Sequence, residues 1–129
     1  MKNIEVLIEF SIKSYNIDAA GHVNNAVYIN WLEDLRTCLF EKILPHEILL
    51  ENNLHLVVAT TNIEYKKPLH LYEKPVGKIK LDKYERGILY FSFLILLNDK
   101  VVVRAFQKCV LIDKHTQKMI KEILIPLKY

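Results

Sequence analysis

Asp18 and His22 stand in a short polar loop, immediately before an apolar stretch that begins near Asn24 or Asn25. A carboxylate can take a proton from water or attack an electrophilic carbon, and an imidazole can carry a proton near neutral pH. A helix opening at Asn24 or Asn25 adds a third component. Its first-turn N–H groups lack intrahelical partners and its peptide dipoles sum to partial positive charge, so that end can hold an anion or polarise a carbonyl oxygen. Plain structural roles stand beside the chemical ones. Asp closes Asx turns, Asn caps helices, and a loop imidazole can bond to backbone at a helix entry.

The elements around this loop follow from periodicity. Over residues 4–12 every even position is apolar (Ile4, Val6, Ile8, Phe10, Ile12), the alternation of a strand with one buried face. After the loop, Val27, Tyr28, Trp31, Leu32, Leu35, Cys38 and Leu39 fill a broad arc of a helical wheel, with Asn30, Glu33, Asp34, Thr37 and Glu41 opposite. Residues 26–32 are apolar nearly all round, which predicts a helix enclosed by a curved sheet. Pro45 marks its end. Residues 46–53 read as a mixed connector with a helical turn.

Four further strands are expected: 54–65, rich in β-branched residues; 76–84; 88–97, apolar throughout and so expected to be buried on both faces; and 100–112. Glu85-Arg86-Gly87 and Asn98-Asp99 read as tight turns. A short helix is expected over 117–124. One strand, one long helix, then four strands with short connections is an α+β meander. Its open edges and the apolar 88–97 strand predict self-association.

Composition narrows the chemistry. At 129 residues, 51% hydrophobic and 26% charged, the chain is expected to form a single soluble domain over 1–129, with a cytoplasmic location as the default. The formal charge of +3 is spread along the sequence, so no nucleic-acid partner is expected. No apolar run is long enough for a membrane helix, so no membrane partner is expected either. Cys38 and Cys109 read as buried apolar residues, and the histidines and cysteines show no metal-ligand spacing. There is no phosphate loop, dinucleotide fingerprint or Gly-x-Ser-x-Gly elbow. No cofactor and no metal are therefore expected, and the chemistry falls to ordinary side chains and backbone.

The segment Asp18-x-x-Gly21-His22-Val23-Asn24-Asn25-x-x-Tyr28-x-x-Trp31-Leu32-Glu33, with this element order, resembles the hotdog-fold thioesterases. The similarity is to the group containing 4-hydroxybenzoyl-CoA thioesterase and the small acyl-CoA thioesterases. The same stretch is similar to the His-Val-Asn-Asn motif of plant acyl-ACP thioesterases. The resemblance implies a five-stranded antiparallel sheet wrapped around one long central helix, assembly as a homodimer or homotetramer, and active sites at the dimer interface. It places the catalytic carboxylate on Asp18, the carbonyl-polarising N–H on Asn25, and a supporting imidazole on His22. Three positions depart from the family pattern: Asn16 replaces a carboxylate, Ala19 a proline and Ala20 an asparagine.

The implied reaction is hydrolysis of an acyl thioester to a carboxylic acid and a thiol, with Asp18 as base or as nucleophile. The implied substrate is an acyl-CoA, with acyl-ACP as the alternative carrier and a non-catalytic acyl-CoA-binding domain as the alternative outside catalysis. Arg86 matches the place of a basic cluster in the related enzyme and is the candidate for the substrate's phosphates, with Lys66, Lys67 and Lys83 as further candidates. Tyr28, Trp31 and Leu35 are expected in the core, with the option of lining an acyl channel. The Asp-x-Asn-Pro-x-His motif of hydratases and dehydratases on the same fold is missing.

Overall fold

The structure, a computed structural model, describes residues 5–121. Five strands, β1 (Val6–Glu9), β2 (Leu54–Tyr65), β3 (Val76–Glu85), β4 (Ile88–Leu97) and β5 (Lys100–Asp113), form one antiparallel sheet in the order β1-β3-β4-β5-β2. The long helix α1 (Asn25–Ile43) lies on one face, and a short α2 (His46–Glu51) follows where only a connector with a helical turn was expected. Register shifts at Val58/Thr60, Leu81/Lys83 and Ile95/Leu96 interrupt the ladders. Such bulges add local twist, which helps a sheet curve about a helix.

The core follows the two periodicities. Tyr28, Trp31, Leu32, Leu35, Leu39, Phe40 and Ile43 of α1 are buried against Leu89, Phe91, Phe93 and Ile95 of β4 and their neighbours. Asn30, Glu33, Asp34, Thr37 and Glu41 are all exposed, as the wheel predicts. Gly77 permits the tightest approach. A Cβ there would stand 2.5 Å from the Phe10 ring and 2.9 Å from Leu35, so β3 can press on α1 only without a side chain.

Several expectations need correction. β4 is fully buried on its helix-facing side alone; Ile88, Tyr90, Ser92 and Leu94 on the other face are half-buried, with Lys83 and Lys108 lying over Tyr90. The first turns of α1 are not enclosed: Ala26 is exposed and Ile29 is 45% exposed, because the backbone of α1 runs nearer to β3 and β1 than to β2. The first strand is shorter than 4–12. Phe10 and Ile12 stay buried, but pairing with β3 stops at Val76, where Pro75 has no N–H to continue the ladder. Ile4 lies outside the described residues.

The expected helix over 117–124 is not formed in its described part. Met119 bridges Ile112, and Ile120 N–H donates to Leu111 O, so this segment returns along the end of β5; residues 122–124 lie outside the described residues. Cys109 is buried as expected, whereas Cys38 is only partly so. The turns form as predicted. Arg86 and Gly87 both take positive φ (53° and 82°), as do Asn98 and Asp99 (51° and 66°), the conformation that two-residue hairpin loops require.

Candidate active site

The loop before α1 is fixed by its own short polar residues. Asn16, where the family pattern has a carboxylate, accepts the Lys13 N–H through Oδ1 at 2.7 Å and the Asn24 N–H through its backbone oxygen at 2.8 Å. Asp18 N–H donates to His22 O at 2.8 Å, and Gly21 turns the chain with a φ of +81°. Val23 N–H donates to Leu69 O, tying the loop to the buried anchor of the β2–β3 connection. Asn24 then caps the helix, its Oδ1 accepting from Ala26 N–H at 3.0 Å.

Asp18 forms an Asx turn. Its Oδ1 accepts from Ala20 N–H at 2.9 Å and from His22 N–H at 3.2 Å. These bonds leave Oδ2 with no hydrogen-bond donor among the described residues, so the turn holds the carboxylate through one oxygen only. The link from His22 to Asp18 runs through the His22 backbone. The His22 imidazole instead meets the His70 ring edge to face, with centroids 5.1 Å apart, and His70 is held by Glu73 at 3.1 Å.

Asp18, His22 and Asn25 line one cleft of about 260 Å³ together with Val23, Tyr28, Tyr65, Lys66, Lys67 and Pro68. Asn25 is the first residue of α1, and its N–H has no hydrogen-bond partner among the described residues. Tyr65, at the end of β2, donates to Asn25 O at 3.3 Å and packs edge-on to Tyr28 at 5.4 Å. Tyr28 is both wall and core: it is 2% exposed, and burial pushes its hydroxyl up to about 12, against the lowering effect of its bond to the Leu69 backbone. Lys66 and Lys67 put two cations at the rim. Trp31 and Leu35 are core residues and do not line this cleft.

Arg86 is not brought to it within one chain. Its hairpin lies beyond Ile88, which pairs with Val110 and through it with Val57, whereas the cleft adjoins Tyr65, aligned with Val103 and Ile95. Ile88 and Ile95 are about 24 Å apart along β4 at ~3.4 Å per residue. Lys83 likewise sits elsewhere, over the Tyr90 ring at 4.5 Å.

Sequence reasoning missed Tyr65, which reads only as the last residue of a strand, and the His70–Glu73 pair, which has no local pattern. No group of three or more His, Cys, Asp or Glu residues placed to hold a metal occurs among the described residues. No helix among them is long and apolar enough to cross a membrane.

A carboxylate oxygen, an unpaired helix-terminal N–H and rim cations around one cleft are the components that attack on a carbonyl carbon needs. The long-chain acyl-CoA thioesterase FadM of Escherichia coli is 30% identical over 112 residues, 85% of each chain. A putative esterase of Aquifex aeolicus is 28% identical over 119 residues, 91% of this chain and 93% of its own. The crystal structure of YbaW, a probable thioesterase of Escherichia coli, superposes with a TM-score of 0.80 at 29% identity, covering 90% of this chain and 87% of the other. The architecture is the hotdog fold of these neighbours. A family model of the thioesterase-like superfamily matches residues 12–126, and the chain belongs to that superfamily.

Proposed function

We propose that the protein hydrolyses acyl-CoA thioesters in the cleft at the N-terminus of α1. The observation that carries this reading is the convergence of Asp18 and the unpartnered Asn25 N–H on one cleft. The thioester carbonyl oxygen accepts from the Asn25 N–H, which is aligned with the helix dipole and stabilises the oxyanion as it forms. Asp18 Oδ2 removes a proton from the attacking water, or attacks the carbonyl carbon itself to give a mixed anhydride that water then opens. In either course the C–S bond breaks, the thiolate leaves and gains a proton, and a carboxylic acid results. A thiol of ordinary pKa, about 8.5, leaves with little assistance, so the His22 imidazole serves as an auxiliary proton source.

Lys66 and Lys67 line the same cleft, and in this reading they meet the phosphates of the carrier. Arg86 joins them from a second copy. Among the described residues nothing pairs with the outer edge of the twelve-residue β2, a length of free edge that folded proteins rarely leave open. Antiparallel pairing of β2 with its copy sets the Tyr65 end of one protomer beside the Leu54 end of the other. That is also the end of the sheet that carries the partner's Arg86 hairpin. The active unit is accordingly a homodimer or an assembly of homodimers.

The test is thiol release from a panel of acyl-CoA substrates, followed with a thiol-trapping reagent. Asp18→Asn is expected to lower turnover at least about a hundredfold, the worth of a base or nucleophile, with unchanged thermal stability. Undiminished turnover removes Asp18 from the mechanism. Acyl-CoA and acyl-ACP of equal chain length, compared in the same assay, assign the carrier.

A further inference from the structure

A second cleft, of about 390 Å³, opens on the same flank of α1 between that helix, α2 and the start of β2. Phe40, Leu44, Leu49, Leu54 and Leu56 make its walls apolar. One cation is set among them. Arg36 is on the sheet-facing side of α1 with its side chain only 13% exposed, and its sole hydrogen bond among the described residues runs from Nη1 to Gln107 Oε1 at 2.8 Å. Gln107 is itself 4% exposed and donates to Thr61 Oγ1 at 3.1 Å.

A guanidinium has five N–H donors, so among the described residues most of this one's capacity is unspent. Its nearest carboxylate, Glu33, is 3.8 Å from Nη2 and 66% exposed, a distant and solvent-screened counter-charge. A mostly buried charge with so little compensation is costly to the fold unless something else satisfies it. The Gln107–Thr61 relay holds the fork in place. Glu41, which is exposed, also lines the cleft, as do His46, His55 and Lys114.

We infer that this cleft binds an aliphatic chain ending in a carboxylate, with the carboxylate on Arg36 and the chain along Phe40, Leu49, Leu54 and Leu56. Two sources supply that chemistry: a free fatty acid, or the remote carboxylate of an acyl thioester. Asn25, Ile29, Glu33, Arg36 and Phe40 recur at intervals of three and four and form one stripe of α1 that joins the two clefts, Asn25 in the first and Arg36 ~16 Å further along the helix in the second. In the antiparallel β2 pairing, the Arg36 cleft of one protomer also adjoins the Asp18 cleft of its partner.

Isothermal titration of the full chain with dodecanoate and with the uncharged 1-dodecanol tests the site. Dodecanoate is expected to bind at least about tenfold more tightly, the worth of a charge-assisted hydrogen bond, and Arg36→Met to abolish the difference. Because Arg36→Met also unpairs Gln107, Leu56→Trp provides a second test: it fills the cleft with Arg36 intact and is expected to remove dodecanoate binding. Equal affinity for acid and alcohol, or dodecanoate binding unaffected by Leu56→Trp, overturns the inference.

The source is assigned by turnover. A KM raised by Arg36→Met for an ω-carboxyacyl-CoA but not for the plain chain identifies the remote carboxylate; relief of inhibition by free dodecanoate identifies the acid. This last arm alone rests on the hydrolase reading. If no thioester is turned over, the titration still decides the site.

Discussion

The two flanks of α1 are built to opposite ends. Toward β1 and β3 the packing is closed: Gly77 admits Phe10 and Leu35 at distances no side chain would allow, and Trp31 stacks on Phe10 with ring centroids 4.7 Å apart. Toward β2 the same helix presents Asn25, Glu33 and Arg36 to open clefts, Ile29 between them is 45% exposed, and Thr61 on the facing strand is exposed. One flank supplies rigidity, and the other spends some of it on a site. A helix held firmly on one side can offer its N-terminal N–H at a fixed position on the other, which is the preorganisation that oxyanion stabilisation depends on.

Damage to each flank has a different signature. Gly77→Val on the closed flank is expected to cost about 3 kcal/mol of stability, the upper range for an overpacked core, read as a lowered midpoint of urea unfolding. A neutral effect would mean that β3 is free to retreat from α1.

The alkaline limb of stability separates core from cleft more finely. Burial pushes the Cys109 thiol up from 9 to about 11 and the Tyr28 hydroxyl from 10 to about 12. Both groups are held neutral in the fold and ionise more readily in the unfolded chain, so their contribution is complete below pH 9 and is lost as pH rises through 11 and then 12. Urea midpoints measured against pH are expected to fall from pH 9 upward, and Cys109→Ala to delay the fall toward pH 10. A flat profile would contradict the burial of both groups.

Tyr65→Phe on the open flank is expected to do least. It removes one 3.3 Å hydrogen bond to Asn25 O, worth about 1 kcal/mol, and should lower turnover no more than about fivefold with stability nearly unchanged. A larger activity loss would make the hydroxyl part of the chemistry.

Much of this was legible in the sequence, for local reasons. Alternation and helical spacing depend on neighbouring residues, so the strands 54–65 and 88–97, the helix start at Asn24–Asn25 and the turns at Arg86-Gly87 and Asn98-Asp99 could be read directly. Asp18, His22 and Asn25 share a cleft because a few residues of loop and one helix start carry them all. What depended on distant pairing was not legible. Tyr65 reaches the site through the length of β2, and Arg86 is far from it because the β3–β4 hairpin points to the other end of the sheet. The half-open burial of Ile29 follows from where the sheet sits on α1, which no local pattern records.

The proposed mechanism turns on the Asn25 N–H carrying the oxyanion. Asn25 is the first helical residue, the position where proline is best tolerated, and Asn24 before it is already extended (φ −62°, ψ 138°), as a residue preceding proline prefers. Asn25→Pro therefore deletes that one N–H and leaves the helix intact, while Asn25→Ala removes the side chain and keeps the N–H. Turnover of acyl-CoA by the proline variant is expected to fall at least about a hundredfold below that of the alanine variant, the usual worth of one such donor, at equal thermal stability. Equal turnover by the two variants would contradict the account.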